Sequence, residues 1–581
     1  MTSYDKNPAV PAAGKLMHGY AALCKELQRA LDAAGKPCPV LVIDGYPSVR
    51  FDEILGGLME EMMLGLVIDV SAANLPEDEI EKMLSYNITD DRVFGVMSCH
   101  KIEAFFDEKK LAVLRRRVNE AKGGVAVVYG PGAALVTEGD VLVYADLARW
   151  EIQQRYRSGE IGNWCAHNEK EETLRKYKRG FFIDWRVSDR HKMDLWNRID
   201  FVLDTNKKES PVLAAGETVR KTLENTVRRP FRTVPYFDPG VWGGQWMKTH
   251  CGLDSAKENY AWSFDGVPEE NSLLLEEGGT VMEIPAQDLV LTQPRALLGE
   301  RVHARFGAEF PIRFDFLDTV GGQNLSLQVH PLTEYIQQNF GMHYTQDESY
   351  YILDAVPESD TAVYLGVKTG VNPDEMISAL AEAQQTGEFD AEKYVNRIPA
   401  KKHDHFLIPA GTVHCSGRDV MVLEISATPY IFTFKLWDWN RVGLDGRPRP
   451  IHLEHGRKNI QFERDTEFVK NELVNRFEEM ASGDGWREER TGLHEREFIE
   501  TRRHWFTKAV PHDTNGGVNV LNLVEGSAAV VESPTGAFEP FTVHYAETFI
   551  IPAAVGKYTI RPAAAGEKCA TVKAYVRGQT R

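Results

Sequence analysis

The chain has 581 residues, which is too many for one hydrophobic core, so roughly two to four domains are expected. Its composition, with 43% hydrophobic and 26% charged residues, is typical of a globular protein. The formal net charge of −18 argues against a general nucleic-acid-binding or membrane-binding surface, although an anionic substrate could still bind in a local basic pocket.

The beginning of the chain shows no basic segment followed by an apolar run, so no signal peptide is expected. No apolar stretch approaches the roughly 20 residues that a membrane-spanning helix needs. The seven cysteines are scattered without a CxxC pair, which indicates neither a disulfide framework nor a thiolate zinc site. We therefore expect a cytoplasmic protein.

Roughly the first 210 residues alternate between short apolar runs and segments with helical spacing, such as 51–66 and 109–121. This alternation predicts an α/β domain with a parallel sheet covered by helices. The runs that we predict to be strands are 39–45, 92–98, 124–130, 140–146, 179–185 and 199–205.

The run "PVLVIDGYPSVRFDEIL" ends a strand and opens a helix, where a P-loop kinase has its phosphate cradle. The basic residues of 140–164 resemble the lid region of nucleotide kinases, and "WNRIDFVLDTN" resembles their closing strand. The G-x-x-x-x-G-K-[ST] motif is missing, and the "GPGA" of 130–133 is a weak signal. We interpret 1–215 as a P-loop-kinase-like α/β domain without Walker A, with a structural, regulatory or ligand-binding role favoured over phosphotransfer. The candidate anion-binding residues are Arg50, Arg149, Arg155 and Arg157.

A polar boundary at 206–216 precedes a change of pattern, because strand-like runs dominate from residue 230 onward. Helical inserts are predicted at about 373–396 and 453–482. Many short strands with turn signals predict a mainly-β region of antiparallel barrels or sandwiches. The predicted domains are 230–485, with the helical insert, and 490–581.

Four side chains in the β region form a plausible metal-ligand set. In "NLSLQVHP", Ser326, Gln328 and His330 alternate and share one face of a strand. Glu348 begins a second strand, and "IPAGTVH" ends at His414. Two imidazoles, a carboxylate and an amide oxygen suit a divalent cation such as zinc and leave positions open for water or substrate.

The segments "SLQVHP", "ESYYILDA", "IPAGTVH" and "RPRPIHLEHG" resemble class I mannose-6-phosphate isomerases, which are zinc enzymes on a double cupin scaffold. The resemblance covers about 230–581. It implies one Zn²⁺ per chain, held by Gln328, His330, Glu348 and His414, with Ser326 beside the metal. It also implies interconversion of mannose 6-phosphate and fructose 6-phosphate through a cis-enediol(ate), with a small sugar phosphate as the partner molecule.

Two positions depart from the family pattern. Gln346 stands where the family has a lysine, and Lys435 stands where it has a functionally important arginine. Lys435 is the first candidate for the charged catalytic residue and Arg441 the second, with Asp404 and His405 as alternatives for moving the proton. Candidates for binding the phosphate are Lys248, Lys401, Lys402, Arg441 and Arg457.

The tail contains "FTVHYAETFIIPAAVGKYTI", which resembles the second cupin domain of the family but lacks its metal motifs. We expect a metal-free structural barrel there, with His544 in a structural role. The leading hypothesis is an isomerase. The alternatives are a non-catalytic sugar- or sugar-phosphate-binding or regulatory cupin protein and a bifunctional sugar kinase–isomerase. The sequence does not indicate an oligomeric state.

Overall fold

The computed structural model describes residues 3–444, 446, 449–492 and 497–578. The chain forms two compact units: one comprises Ala9–Asn225 with Ser272–Thr292, and the other Met1–Pro8, Thr226–Asn271 and Gln293–Arg581. Among the described residues, no helix combines the length and apolar character needed to cross a bilayer.

The first unit is built on a seven-stranded sheet in which five neighbouring strands run parallel. Four of these strands were predicted, whereas Leu64–Asp69 begins within the segment 51–66 that was predicted as helical. The two strands at one edge pair antiparallel. The order from edge to edge is Leu16–His18, Val212–Ala215, Phe201–Asp204, Val141–Asp146, Val40–Gly45, Val125–Tyr129 and Leu64–Asp69. A small sheet pairs Ala9–Pro11 with the hairpin Ser272–Glu277 and Thr280–Pro285.

Helices cover the parallel sheet because each places an apolar stripe on it. In Tyr20–Ala33, Leu23, Leu27 and Leu31 recur every four residues, are buried, and pack in one cluster with Leu41 and Val143 of the strands. The α-helices of this unit are Tyr20–Ala33, Phe51–Glu61, Glu77–Ile88, Glu108–Asn119, Arg149–Ser158, Thr173–Arg179, Trp185–Leu195, Gly216–Thr226 and Gln287–Thr292.

Two predicted strands of this unit are wrong. The run 179–185 is helical, with a π-helix at Gly180–Asp184, because an apolar run buried on all sides looks the same in either structure. The run 92–98 is irregular, and side chains replace a sheet partner there. Asp91 accepts from the N–H groups of Val93 and Phe94, and Asn87 donates to Val96 O and Met97 O.

The other unit begins with a β-sandwich of two antiparallel sheets, here called the first sandwich. One sheet has the order His405–Ile408, Asp347–Ala355, Val420–Ala427, Arg313–Asp318, Trp262–Phe264 and Tyr236–Asp238. The other has the order Val395–Pro399, Ala362–Val367, His414–Ser416, Leu327–Val329 and Phe434–Trp437. The helices of this part are Trp246–His250, Pro294–Leu298, Glu300–Phe306, Thr333–Phe340, Pro373–Thr386, Ala391–Tyr394, Leu453–Gly456 and Thr466–Phe468.

The C-terminal part is a second antiparallel sandwich, here called the second sandwich. It includes the hairpin strand Glu478–Gly483, which lies in a segment predicted as helical. One sheet has the order Glu478–Gly483, Trp486–Gly492, Ile499–Phe506, Cys569–Val576, Asn519–Glu525 and Thr548–Ile551. The other has the order Val510–Asp513, Lys557–Pro562, Ala528–Glu532 and Phe541–His544.

At the carboxyl edge of the parallel sheet, Arg155 holds two loops together. Its side chain is 1% exposed, Nη1 donates to Ser48 O at 2.6 Å, and Nη2 donates to Thr205 O at 2.9 Å. Nε donates to Glu151 at 2.8 Å. The guanidinium therefore satisfies carbonyl groups that would otherwise be buried without a donor.

Replacing Arg155 with methionine should destabilise this unit by about 2–4 kcal/mol, because buried carbonyl oxygens and Glu151 lose their donors. Hydrogen–deuterium exchange should show faster exchange in 40–45 and 201–204. The control is Arg29→Met, which removes an ion pair of a 75% exposed arginine and should change little. Equal exchange in the two variants would contradict a clamping role for Arg155.

Candidate metal centre

The predicted ligands lie where the two sheets of the first sandwich face each other. Gln328 is directly opposite His414 on the neighbouring strand. His330 comes directly after the strand that carries Gln328. Glu348 comes from the other sheet, near the start of its strand. The exposed fractions of His330, Glu348 and His414 are 0%, 1% and 0%, so these three side chains are buried.

Ligand atoms of three residues lie close together. His414 Nε2 lies 2.8 Å from Glu348 Oε1, and His330 Nε2 lies 3.0 Å from Glu348 Oε2. All three groups offer an atom within 4.8 Å of the others. His330 Nε2 and Glu348 Oε1 nevertheless lack a hydrogen bond of acceptable geometry. Buried polar atoms that approach without bonding are expected where a cation completes the site.

The backbone selects the tautomers that a metal site requires. His330 Nδ1 donates to Phe432 O and His414 Nδ1 donates to Thr412 O, each at 2.8 Å. The Nε2 lone pairs are thereby left for a cation. Gln328 completes the set, since its terminal amide lies 3.1 Å from His414 Nε2. Rotating this amide by half a turn would present its oxygen.

A tight turn delivers His414 to the cluster. Gly411 has a φ of +91°, and a Cβ there would lie 2.9 Å from Asn459 O, so a side chain would be strained. Its N–H donates to His330 O at 3.0 Å, which ties the turn to the strand that carries Gln328. The Pro-x-Gly-x-x-His pattern therefore encodes the position of the ligand.

Electrostatics at the cluster follow from burial and from neighbouring charge. Burial favours the neutral acid, but the flanking imidazoles of His330 and His414 hold the pKa of Glu348 well below its usual range. Gln346 donates from Nε2 to Glu348 Oε2 at 3.0 Å. The amide at 346 therefore orients the carboxylate without adding the charge that a lysine would bring.

Ser326 lies two residues before Gln328 and belongs to a second polar group. Its hydroxyl donates to Asp438 Oδ1 at 2.6 Å. Arg441 Nη2 donates to the same oxygen at 2.6 Å, and Arg449 Nη1 contacts both Asp438 and Ser326 at 2.9–3.0 Å. Arg449 was not singled out from the sequence, although it stands in the "RPRPIHLEHG" motif, whose Arg447 and Pro448 lie outside the described residues.

Lys435 is directly opposite Gln328, on the strand flanking the other side. Directly opposed residues of antiparallel strands share a face, with Cβ atoms about 4.5–5.5 Å apart. Lys435, Gln328 and His414 thus form one row across the sheet.

Two predicted phosphate ligands make other contacts. Lys248 donates from Nζ to Lys257 O and Glu258 O at 2.6 and 3.0 Å. Arg457 forms a surface ion pair with Glu454 and is 48% exposed. Among the described residues, neither contacts the ligand cluster. Asp404 and His405 do not belong to the ligand cluster either. Asp404 accepts from Lys401 N. His405 is paired with Tyr351, whose side chain lies on the opposite face of the sheet from Glu348.

Sequence reasoning missed two buried acids inside the first sandwich. Glu424 and Asp315 are directly opposed on neighbouring strands, and Tyr350 is opposite Glu424 on the other side. Burial, with the charges of Glu348 and Asp315, raises the pKa of Glu424 well above its usual range. Burial also raises the pKa of Asp315 to about 7. The available signal was a glutamate within the otherwise apolar run "VMVLEISA".

Comparison with known proteins assigns different matches to the two parts of the chain. Residues 19–228 match a family model described as Domain of unknown function (DUF8485). Over 228 residues the chain is 26% identical to mannose-6-phosphate isomerase ManA of Bacillus subtilis, which covers 39% of this chain and 66% of that protein. Over 216 residues it is 26% identical to the mannose-6-phosphate isomerase of Streptococcus mutans, covering 37% and 62%. The chain thus spans just under two thirds of the length of these relatives.

Solved structures with the same name were also found. The mannose 6-phosphate isomerase from Bacillus subtilis superposes with a TM-score of 0.47 and 17% identity, covering 60% of this chain and 99% of that one. A putative mannosephosphate isomerase from Archaeoglobus fulgidus gives a TM-score of 0.43 and 17% identity, covering 59% and 98%.

Replacing His414 with alanine should weaken zinc binding by more than about 100-fold, because a buried ligand is lost and Glu348 keeps only one imidazole partner. Zinc content after dialysis, measured by mass spectrometry, tests this. The control is the exposed His343, whose replacement by alanine should leave zinc content unchanged. Undiminished zinc in the His414 variant would show that the cluster is not the metal site.

Proposed function

We propose that this chain is a zinc-dependent aldose–ketose isomerase of the cupin type that interconverts mannose 6-phosphate and fructose 6-phosphate. The observation that carries the proposal is the buried convergence of His330, Glu348 and His414 beside Gln328. The names of the curated relatives, which match the chain over about 40% of its length, supply the substrate.

The donor set fits a zinc ion. Two neutral imidazoles with fixed tautomers, one carboxylate and one amide match the ligands that zinc accepts, and fewer than six protein donors leave room for substrate oxygens. A bound Zn²⁺ would polarise the carbonyl and hydroxyl oxygens of the sugar. The buried, unbonded Nε2 of His330 and Oε1 of Glu348 are the atoms that support this assignment.

The reaction moves a proton between C1 and C2 of the sugar, and the chain must stabilise the negative charge that develops on oxygen. Lys435, in the row of Gln328 and His414, is proposed to supply this positive charge. Glu424, buried on the inner face near Glu348, is the carboxyl group proposed to hold the transferred proton.

The substrate's phosphate requires a cation near the sugar site. Arg449 is the arginine that contacts Ser326 on the ligand-bearing strand, so we assign it this role. Arg441 donates to Asn324 O, Asp438 O and Asp438 Oδ1, so its proposed contribution is to position Asp438 rather than to move the proton.

For the α/β unit we propose a structural or regulatory role rather than phosphotransfer. Three of the arginines that could bind an anion are occupied by the chain itself. Arg50 pairs with Glu160, Arg149 donates to Asp189 and Tyr46, and Arg155 donates to Ser48 O and Thr205 O. Because these three guanidinium groups already contact groups of the chain, the bifunctional kinase–isomerase alternative is disfavoured.

Purified protein should form fructose 6-phosphate from mannose 6-phosphate in a coupled assay. A chelator should abolish the activity and zinc should restore it, because the charge that polarises the sugar oxygens is removed and returned. Mannose with ATP should yield no product. Zinc-loaded protein that binds mannose 6-phosphate without turnover would instead favour a non-catalytic sugar-phosphate-binding protein.

Lys435→Met should retain zinc and lower kcat by about 100-fold or more, because a preorganised positive charge next to the reacting oxygens is lost. The control is the exposed lysine variant Lys458→Met, which should behave as wild type. Unchanged kcat in Lys435→Met would remove this residue from the mechanism.

A further inference from the structure

The interior of the second sandwich is apolar at one end and polar at the other. Phe506, Val510, Leu521 and Cys569 belong to its buried core. Side chains two residues away on the same strands share that inner face, because the side-chain period of a strand is two. The inner-facing residues continuing beyond the apolar core include two acids, Glu488 and Glu500, together with Arg502, His504, His512, Asn519, Thr571, Lys573 and Tyr575.

Three rings form the floor of the polar end. The centroids of His504 and His512 are 4.4 Å apart, and His512 stacks on Tyr558 at 4.9 Å with an interplanar angle of 8°. Thr571 is directly opposite His504 on the neighbouring strand. Asn519 donates from Nδ2 to Tyr558 Oη at 3.4 Å.

Several buried atoms of this floor have no hydrogen bond within the described residues. They are His504 Nδ1, both ring nitrogens of His512, and Thr571 Oγ1. The exposed fractions of these residues are 2%, 7% and 0%. Burial holds the pKa of both histidines well below the usual value, so each ring is neutral and can both donate and accept. Buried groups left without partners cost free energy unless something binds them.

Lys573 brings an ammonium group to the same end. It is 8% exposed and directly opposite Arg502, and its Nζ lies 5.6 Å from the Tyr575 ring. Arg502 is paired with Glu500 and lies 3.4 Å from Glu488. Among the described residues, the Lys573 ammonium forms neither a hydrogen bond nor an ion pair, although the carboxylates of Glu488, Glu500 and Asp513 lie near enough to favour its charged form. Burial lowers its pKa to about 8, which leaves the charged form dominant at pH 7.

The other buried lysines of the chain are satisfied, and the contrast is informative. Lys176 donates to Tyr156 O and Glu169 O, each at 2.6 Å. Lys192 donates to Asp146 and Asp288, each at 2.7 Å. A buried ammonium that serves only the fold thus has partners here, and Lys573 lacks them. Since Glu488, Glu500 and Asp513 form no ion pair with Lys573 among the described residues, its direct partner is expected to be an anion from outside the chain.

We propose that the polar end of the second sandwich binds a small hydroxylated oxyanion, whose carboxylate or phosphate group pairs with Lys573 and whose hydroxyl groups bond to His504, His512 and Thr571. A few heavy atoms are enough to reach these residues, because directly opposed side chains on neighbouring strands are about 5 Å apart. The mouth of a β-structure with convergent polar groups is a common position for such a site. This site is separate from the metal ligands, which lie on strands of the first sandwich.

Titration calorimetry with inorganic phosphate and with gluconate tests the proposal and distinguishes the two anion types. The full chain carries His414→Ala and Arg449→Met so that neither the metal centre nor the arginine assigned to the substrate's phosphate contributes. We expect saturable binding of one equivalent of at least one probe. Lys573→Met should weaken this binding by about tenfold or more, since the charge-assisted contact is lost.

The matched control is Lys557→Met, which removes an exposed lysine of the same sandwich and should bind as the parent does. Methionine fills the space of Lys573 without a buried charge, so the melting temperature of Lys573→Met without ligand should be equal or higher. That result shows that a loss of binding is not a loss of fold. Binding retained in Lys573→Met, or no saturable binding of either probe up to about 10 mM, would overturn the proposal.

Discussion

The first sandwich depends on one constraint, which is the presence of the Glu348 carboxylate in the interior between its two sheets. A buried charge is tolerated only where it is paired. The two imidazoles, oriented by carbonyl groups of Phe432 and Thr412, supply that pairing when they are protonated, and a cation bound by their neutral forms would supply it in their place. Because they come from the facing sheet, the separation of the two sheets sets the geometry of the cluster. The turn at Gly411 positions His414, and the strand pairing places Gln328 opposite His414.

The two sandwiches share an architecture and differ in what their interiors hold. In the first, inward-facing polar residues converge on a point and compensate one another. In the second, His504 Nδ1, both ring nitrogens of His512 and Thr571 Oγ1 face inward without a hydrogen bond among the described residues. Side-chain alternation makes both arrangements possible, because every second residue of a strand is directed inward. The same sandwich architecture can therefore hold different polar groups, depending on which residues stand at a few inward-facing positions.

In the α/β unit, by contrast, charged groups at the expected ligand position pair with one another. Ligands of doubly wound sheets usually bind at the carboxyl ends of the strands. Here the chain's own groups occupy that edge. Asp44 accepts from the N–H groups of Gly132 and Ala134 and from His191, and Lys192 joins Asp146 and Asp288. Such a saturated network favours a structural role for this edge, as do the contacts that engage Arg50, Arg149 and Arg155.

Local patterns predicted the parallel strands at 40–45, 125–129, 141–146 and 201–204, because continuous apolar runs with turn residues are specific for buried strands. Local patterns could not distinguish the helix at 179–185 from a strand, because a segment that is buried on all sides shows no alternation of apolar and polar residues. They also could not place Ser272–Thr292 with the α/β unit, because that assignment depends on contacts far apart in sequence.

The sequence by itself determined the residue types of the candidate metal centre, since Gln328, His330, Glu348 and His414 stand in recognisable local motifs. Only the tertiary structure decided which cations accompany them. It brought Lys435 and Arg449 to the ligand-bearing strand, left Lys248 and Arg457 elsewhere, and revealed Glu424 and Lys573. The physical reason is that a ligand motif is carried by a strand or a turn, whereas burial and charge pairing arise only when separate strands meet.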